Sequence, residues 1–393
     1  MNQNFSSDQL IKLCKEVEIT NSGRTKEQLS EEIDAIFSEI TAGTFDFELS
    51  KSAEFYLTPS LTDKLILRKL NDNLRRLYKD VQSNRRMIVT QVSTLLAENC
   101  PFWVLKTDIS KFYESINRDR IVEKLQSDSM LSYFSIQLIK KLFSHPLLEN
   151  KSGLPRGISI SSTMSELFMR KFDRWATSYP GVYFYARFVD DIIIFSYDRS
   201  LLEKMESQID ENLEIGLKKN QQKTQLFDGR QIIEPKPLNF LGYKFLTVGD
   251  KQKKKVDISI AEKKLKKIKS RIVYAFNDFN NTGNFAILEK RIRFLTGNYS
   301  IKNRSDGHDL RAGIYYNYVN IKNSNHPVFD ELNNFLQRTL HSKRHSFGIK
   351  LNAKLNSEQR TIIGKYSFKN GFKNKVYHRF TYSELQTITR CWK

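Results

Sequence analysis

An Asp-Asp pair between two apolar segments constrains this chain more than any other feature of its sequence. Two runs rich in β-branched and aromatic residues, 182–187 and 192–196, are separated only by Phe188, Val189, Asp190 and Asp191. So short a connection predicts a β-hairpin that carries both carboxylates at its turn. Adjacent carboxylates repel one another and are costly to bury, so a divalent cation at the turn would relieve that cost.

A third acid stands in a similar setting. Asp108 follows the apolar run 102–107, which predicts a buried strand. A carboxylate at a strand end and a pair at a hairpin turn can converge from neighbouring strands at one edge of a sheet. Oxygen ligands of this kind suit Mg²⁺, and two such ions about 3.5–4 Å apart can promote phosphoryl transfer. We therefore predict catalytic and metal-binding roles for Asp108, Asp190 and Asp191.

The composition indicates a large globular protein. Hydrophobic residues make up 39% and aromatic residues 12% of the 393-residue chain, which excludes a disordered or collagen-like protein. No apolar run reaches the roughly 18 residues that a membrane span needs, and the N-terminus lacks a signal-peptide pattern. Three distant cysteines exclude a disulfide framework and a Cys-x-x-Cys zinc site. We expect a cytoplasmic protein with no membrane partner.

The charge distribution points to a polyanionic partner. The net charge of +20 is concentrated in residues 251–271, with a net charge of +8, and in residues 341–393, with +10. Residues 1–50 carry −6 instead. Because the positive charge is segregated into two blocks, phosphate backbones are the first expected ligand.

Five sequence motifs follow one another in order. They are TDISKFYESI at 107–116, GLPRGISI at 153–160, RFVDDI at 187–192, KKNQQKT at 218–224 and NFLGY at 239–243. Together they resemble the ordered palm motifs of reverse transcriptases, over about residues 60–320. Among reverse transcriptases, the sequence resembles bacterial retron, group II intron and phage-defence enzymes. The forms at 112–116 and 154–157 resemble most of all the defence-associated "unknown group".

The resemblance implies an α/β (α+β) fold of the right-hand polymerase type. Fingers and palm, with an antiparallel sheet flanked by helices, are expected at 51–250, and a helical thumb at 251–340. An N-terminal helical appendage at 1–50 and a basic C-terminal extension at 341–393 complete the expected organisation.

The same resemblance implies an RNA-directed DNA polymerase, a nucleotidyltransferase that uses a two-metal mechanism with Mg²⁺ or, alternatively, Mn²⁺. The expected ligands are dNTPs, an RNA template or structured non-coding RNA, and the DNA product. A role in bacterial antiviral defence follows from the subtype, and a second reverse transcriptase or another defence protein is the further candidate partner.

Several nucleotide-binding residues are implied by position within the motifs. Tyr113 matches the bulky gate that blocks a ribose 2′-OH, and Gly157 matches the loop glycine that lets backbone approach the nucleotide or template. Arg156 stands where the family commonly has Gln, and could bind a phosphate or stack on a base. The remaining candidates are the pyrophosphate lysine, Lys223 with Lys219 as its rival, and the triphosphate contacts Arg85 and Arg86.

Two further segments are expected to hold nucleic acid. Phe240 and Gly242 lie in the motif that resembles the primer-grip turn, and Lys263, Lys264 and Lys267 lie on the basic face of a predicted thumb helix. The tail interleaves basic and aromatic residues, a pattern that suits single-stranded RNA but equally suits a small core.

Two alternatives stay open at this point. An RNA polymerase or a template-independent nucleotidyltransferase could use the same palm, although Tyr113 argues against ribonucleotides. A non-catalytic RNA-binding subunit of a defence complex is the other, and the three intact aspartates argue against it.

Overall fold

The computed structural model describes residues 2–79, 83–149, 152–233, 236–249, 254–302 and 309–392. The first residues of the predicted basic block, 251–253, lie outside this part of the chain.

Helices and strands alternate along the described residues. The helices are α1 (Ser7–Ile11), α2 (Glu16–Ser22), α3 (Lys26–Ala42), α4 (Leu61–Tyr78), α5 (Arg85–Leu96), α6 (Phe112–Ser115), α7 (Arg118–Ser127), α8 (Tyr133–Phe143), α9 (Pro146–Glu149), α10 (Ser159–Ser178), α11 (Arg199–Asn212), α12 (Glu262–Thr282), α13 (Phe285–Thr296), α14 (Ile314–Asn317), α15 (Pro327–Leu340), α16 (His345–Lys354), α17 (Ser357–Gly364), α18 (Phe368–Lys373) and α19 (Tyr382–Thr389). The strands are β1 (Ser50–Ser52), β2 (Phe55–Leu57), β3 (Trp103–Asp108), β4 (Val182–Phe188), β5 (Asp191–Ser196), β6 (Gln225–Asp228), β7 (Leu238–Phe240), β8 (Tyr243–Val248), β9 (Lys255–Ile260), β10 (Asn298–Lys302) and β11 (Asp309–Gly313). The expectation of a mixed helix and antiparallel-sheet fold is confirmed.

The chain forms two compact units, each assembled from two stretches. The first unit comprises Met1–Asn84 and Phe102–Phe227, and the second comprises Arg85–Pro101 and Asp228–Lys393. The predicted division at residues 50, 250 and 340 into appendage, fingers and palm, thumb and extension stays a prediction.

A four-stranded sheet organises the first unit. Its strand order is β4-β5-β3-β6, and β5 pairs antiparallel with both β4 and β3. Strand β5 lies inside the sheet, and four consecutive residues of it are apolar because both faces of the strand are covered. Its fully buried side chains are Ile192, Ile193, Ile194 and Phe195.

Helix α10 covers one side of this sheet. Apolar residues recur along it at helical spacing, and the buried ones include Met164, Phe168 and Phe172. The helix packs against β4 and α4, which buries Leu65, Leu70 and Leu74. The sheet is therefore flanked by helices, as the sequence predicts.

The first fifty residues contribute to the same core. Phe5, Leu10, Leu29 and Ile33 are buried in it. Thr25 and Gln28 form a capping box at the start of α3. The Thr25 hydroxyl accepts from the backbone N–H of Gln28, and the Gln28 side chain accepts from the backbone N–H of Thr25.

The second unit combines a small sheet with long helices. Strands β7, β8 and β9 form an antiparallel sheet in that order. Helices α12, α13 and α15 bury Phe276, Ile292 and Phe329.

The basic tail packs into this second unit. Phe368 and Phe372 are buried, and the Phe372 ring lies 4.3 Å from that of Phe329. These two aromatic residues therefore belong to a core, which was one of the two roles predicted for the aromatic residues of the tail. Tyr377 and Tyr382 stay exposed.

No helix within the described ranges is both long enough and apolar enough to cross a membrane.

Asp63 makes the stability of the first unit depend on pH. Its carboxylate is buried on α4 and accepts from the backbone N–H of Glu48 at 2.6 Å. Burial raises its pKa to about 6. A raised folded-state pKa means that the stabilising protonated form is lost as pH rises through about 6.

Asp63→Asn should therefore raise the Tm at pH 8 but not at pH 4, because the amide oxygen can still accept from Glu48. The shift from about 4 to about 6 corresponds to roughly 2–3 kcal/mol of destabilisation at high pH. Thermal unfolding of Asp63→Asn at both pH values tests this, with Glu31→Gln, an exposed change on α3, as control. A Tm lowered equally at both pH values would contradict it.

Candidate active site at the carboxylate edge of the four-stranded sheet

The Asp-Asp pair lies at a tight hairpin turn between β4 and β5. Phe188 pairs with Asp191 across the hairpin, which leaves Val189 and Asp190 as the turn residues. Val189 has a φ of 60°, in the left-handed region that a β-branched residue rarely adopts. The hairpin predicted from the sequence is present, with both carboxylates where its strands reverse.

The neighbouring strand brings the third carboxylate to the same edge. In the antiparallel register of β3 and β5, Asp108 is the partner of Asp191. Directly opposed residues present their side chains on the same face of a sheet. The backbone N–H of Ile109 also donates to the Asp190 carbonyl at 3.2 Å. The structure therefore brings Asp108, Asp190 and Asp191 together.

Burial and neighbouring carboxylates raise the pKa of two of these acids, Asp190 and Asp191. Burial, together with the charges of Asp190 and Asp108, raises the pKa of Asp191 to about 6. Burial also raises the pKa of Asp190, and Asp108 adds to this effect. Negative charge at this edge is thus incompletely neutralised, and a bound cation would stabilise the ionised carboxylates.

The donor set fits a hard divalent cation in chemistry, since all three side chains offer carboxylate oxygens. In the described part of the chain, no group of three His, Cys, Asp or Glu side chains is arranged to hold an ion as it stands. One of the three carboxylates, that of Asp108, is already paired with a lysine.

That lysine is Lys223, on the 3-10 turn Gln221–Lys223. Its Nζ donates to Asp108 Oδ2 at 2.8 Å, and Asn220 Nδ2 donates to the other oxygen at 3.1 Å. The hydrogen bond to Asp108 raises the pKa of Lys223, which keeps it cationic. The rival Lys219 is buried and bound to Glu206 at 3.0 Å. Of the two lysines, only Lys223 is bonded to one of the three carboxylates.

Lys106 is a cation near this edge that the motifs did not single out. It lies two residues before Asp108 on β3, so the strand period places both side chains on one face. Burial lowers the pKa of Lys106, and the charges of Asp191 and Asp108 oppose that effect. The alternation of β3 was the signal that could have identified it.

Tyr113 and Arg156 lie against each other. The Arg156 guanidinium is 5.3 Å from the centre of the Tyr113 ring. It also forms a two-point ion pair with Glu114, at 2.6 and 3.1 Å. The arginine predicted to contact a phosphate or a base is therefore held by Glu114, a residue that sequence reasoning missed.

Gly157 has a positive φ and lies so close to the backbone of Tyr56 that a side chain would not fit. Its φ is +96°, and a Cβ on it would lie 2.5 Å from the Tyr56 carbonyl oxygen. The Tyr56 N–H donates to the Arg156 carbonyl at 2.7 Å. The loop thus packs tightly on strand β2, while the predicted approach of a nucleotide or template stays a prediction.

The predicted triphosphate contacts belong to the second compact unit. Arg85 donates to the Leu241 carbonyl from Nε at 3.0 Å and to the Asn317 carbonyl at 3.0 Å, and it lies over the Tyr243 ring. The carbonyl of its neighbour Arg86 accepts from Asn320 at 3.1 Å. The structure does not group these arginines with the three carboxylates in one unit, and their role toward a triphosphate stays a prediction.

The segment that resembles the primer grip forms the β7–β8 turn. Leu241 and Gly242 are its two central residues, both with positive φ, as a tight hairpin turn requires. Phe240 is buried, so its side chain supports the turn from within the core. Leu241 is also buried, and its carbonyl accepts from Arg85, so a contact of this turn with nucleic acid stays a prediction.

The predicted basic helix face is present at the start of α12. Lys263, Lys264 and Lys267 are all exposed there, and Leu265 on the opposite face is buried.

Gly157→Ala should destabilise the protein by more than a positive φ alone explains. The φ costs about 1–2 kcal/mol for an L-residue, and the clash with Tyr56 adds to it. Gly43→Ala is the matched control, because Gly43 has a φ of +77° and nothing within 4 Å of its Cβ position. Denaturant unfolding should give the larger loss for Gly157→Ala, and equal losses would contradict the proposed packing.

Comparison with known proteins supplies the family. Residues 50–245 match the family model described as "Reverse transcriptase (RNA-dependent DNA polymerase)". This segment contains all three carboxylates, the glycine loop and Lys223. No curated protein matches the chain.

Among solved structures, the chain is similar to telomerases. It shares 14% identity with the telomerase of Candida albicans in complex with a TWJ fragment of telomeric RNA, covering 97% of this chain and 58% of that one with a TM-score of 0.37. It shares 12% identity with apo telomerase from Candida tropicalis, covering 96% and 61% with a TM-score of 0.36. The chain spans about three fifths of the length of these structures. By the match over residues 50–245, the chain belongs to the reverse transcriptase family.

Proposed function

We propose that this protein is an RNA-directed DNA polymerase that extends a primer with dNTPs in a reaction that depends on divalent cations. The observation that carries the proposal is the convergence of Asp108, Asp190 and Asp191 at one sheet edge, within the segment that matches the family. A non-catalytic subunit would not need three partly buried carboxylates whose repulsion lowers stability.

Asp108, Asp190 and Asp191 are the residues that would hold Mg²⁺ or Mn²⁺. When bound, the cations supply activation of the attacking hydroxyl and stabilisation of the leaving oxygen. Lys223 stays protonated beside Asp108 and is placed to neutralise or protonate the departing pyrophosphate. Lys106 contributes a second positive charge toward the carboxylates.

Tyr113 is proposed to select the sugar. Arg156 holds one side of its ring, and Arg156 is itself fixed by Glu114. A ring restrained in this way is a firmer barrier to a 2′-OH than a freely rotating one. We therefore propose that dNTPs are preferred over rNTPs.

The second unit is proposed to hold the template and primer. Lys263, Lys264 and Lys267 offer cations to phosphates without sequence preference. The β7–β8 turn, which contains Gly242 and follows the buried Phe240, is the proposed primer contact. Exposed Tyr377 and Tyr382, on a tail with a net charge of +10, suit stacking with unpaired RNA bases.

The biological setting is the broader part of the proposal. The motif forms at 112–116 and 154–157 and the net charge of +20 support a cytoplasmic enzyme that works with a structured non-coding RNA in bacterial antiviral defence. A second reverse transcriptase or another defence protein is the proposed protein partner.

Asp190→Asn should abolish dTTP incorporation on poly(rA)/oligo(dT) while leaving the Tm nearly unchanged. Loss of a charged group that stabilises the transition state typically lowers the rate by ~10²-fold or more. Asp198→Asn is the matched control, because Asp198 caps α11 and Asn caps equally well. Near-normal incorporation by folded Asp190→Asn would disprove the assignment, and incorporation without poly(rA) would favour untemplated synthesis.

Tyr113→Ala should raise the use of UTP relative to dUTP on the same template–primer. Removal of the ring opens space for the 2′-OH without changing a carboxylate. The measurement is the ratio of kcat/KM for the two nucleotides, with Tyr133→Ala, at an exposed residue, as control. An unchanged ratio would show that another residue selects the sugar.

A further inference from the structure

Arg187 is a buried arginine whose hydrogen-bonding capacity is fully used. It lies on β4, three residues before Asp190, and is 5% exposed. Nε and Nη2 donate to the two oxygens of Asp173, each at 2.8 Å. Nη1 and Nη2 donate to the two oxygens of Glu166, at 3.2 and 2.7 Å. The fifth N–H, on Nη1, donates to the Val189 carbonyl at 2.9 Å. A guanidinium has five N–H donors, and each has one acceptor here.

The fifth bond reaches the strained residue of the carboxylate turn. A left-handed φ at a β-branched residue is strained and persists only where the surroundings impose it. Two carbonyls fix this turn: that of Val189 by Arg187, and that of Asp190 by the N–H of Ile109. The two bonds hold consecutive peptide units, so the direction of the Asp190 side chain depends on both.

The two acids connect this turn to α10. Glu166 and Asp173 are seven residues apart, which places them two turns apart on one helix face. Tyr185, two residues before Arg187 on β4, donates to Asp173 Oδ1 at 2.6 Å. Helix α10 begins just after Gly157, so one guanidinium connects the turn to the helix that follows the glycine loop.

Stability alone does not account for this cluster. Buried ion pairs are often no more stabilising than apolar residues of the same volume, because the charges must be desolvated. The planar guanidinium has five N–H donors in fixed directions and can therefore orient the groups that accept from it, which an apolar side chain cannot do. The position of the fifth donor is the feature that needs an arginine.

We propose that Arg187 is a positioning residue that holds the strained Val189 turn and thereby orients Asp190 and Asp191 for catalysis. The proposal rests on the polymerase function proposed above. Arg187 contacts neither nucleotide nor primer in this account, and acts only through the backbone of the turn.

The test is Arg187→Lys, which keeps the charge but has three donors from one nitrogen. Because small misplacement of catalytic groups can cost up to about 10²-fold, kcat for dTTP on poly(rA)/oligo(dT) should fall about tenfold or more, with KM changed less than about twofold. The matched control is Arg68→Lys. Arg68 likewise forms a two-point pair with a carboxylate, that of Glu18, and donates to a backbone carbonyl, that of Leu13. The Tm of Arg68→Lys should fall by about as much as that of Arg187→Lys, whereas its kcat should stay at the wild-type value.

Val189→Gly separates positioning from general stability. Glycine adopts a positive φ without strain, so adding Val189→Gly to Arg187→Lys should restore kcat by at least about threefold. Strictly additive losses in the double mutant, or a kcat within twofold of wild type for Arg187→Lys, would overturn the proposal. If Arg187→Lys does not fold, the same measurements are made on Glu166→Gln. This variant weakens the hydrogen bond between Arg187 Nη1 and residue 166, while Asp173 still pairs with Arg187.

Hydrogen exchange gives a readout independent of activity. Peptides that cover residues 182–196 should exchange faster in Arg187→Lys than in Arg68→Lys or wild type. If wild type incorporates no dTTP, the polymerase proposal fails, and the exchange data still decide whether Arg187 holds the turn. Unchanged exchange in folded Arg187→Lys would overturn the structural half of the inference.

Discussion

The antiparallel pairing of Asp108 with Asp191 is the constraint on which the rest of the site depends. It brings carboxylates from separate segments to one sheet edge, where burial and mutual repulsion raise the pKa of Asp190 and of Asp191. A fold can retain such an arrangement only if its remaining interactions exceed the cost. The four fully buried apolar residues of β5, Ile192 to Phe195, and the helix α10 packed on its sheet contribute to that stability in the first unit.

Three cationic side chains interact with the carboxylates at this sheet edge, one by a direct hydrogen bond and two through their charge. Lys223 bonds directly to Asp108, and Lys106 acts on the carboxylates through its charge from the same strand face. Arg156 is held by Glu114 against the Tyr113 ring, and its charge also lowers the proton affinity of Asp190. All three cations already interact with carboxylates of the protein. Binding of a metal ion or a triphosphate would therefore replace these interactions with new ones.

The sequence was sufficient for the parts of the site that depend on local pattern. A run of β-branched residues around Asp190 and Asp191 predicts the hairpin, and the strand before Asp108 predicts its convergence with them. The role of Arg187 could not be predicted, because its acceptors lie 14 and 21 residues earlier on α10 and meet it only when helix and sheet pack. For the same reason, the sequence could not decide between Lys219 and Lys223, or between RNA contact and core packing for Phe368 and Phe372.

Direct measurement of cation binding shows whether Asp108, Asp190 and Asp191 form a site for a divalent ion. Mn²⁺ titration of the protein alone, followed by the loss of the free-ion electron paramagnetic resonance signal, reports binding without any catalytic step. Mn²⁺ should bind the wild-type protein and Asp198→Asn alike, and it should bind Asp108→Asn at least about tenfold more weakly, as expected when a charged ligand is lost. Equal Mn²⁺ affinity in wild type and Asp108→Asn would contradict it.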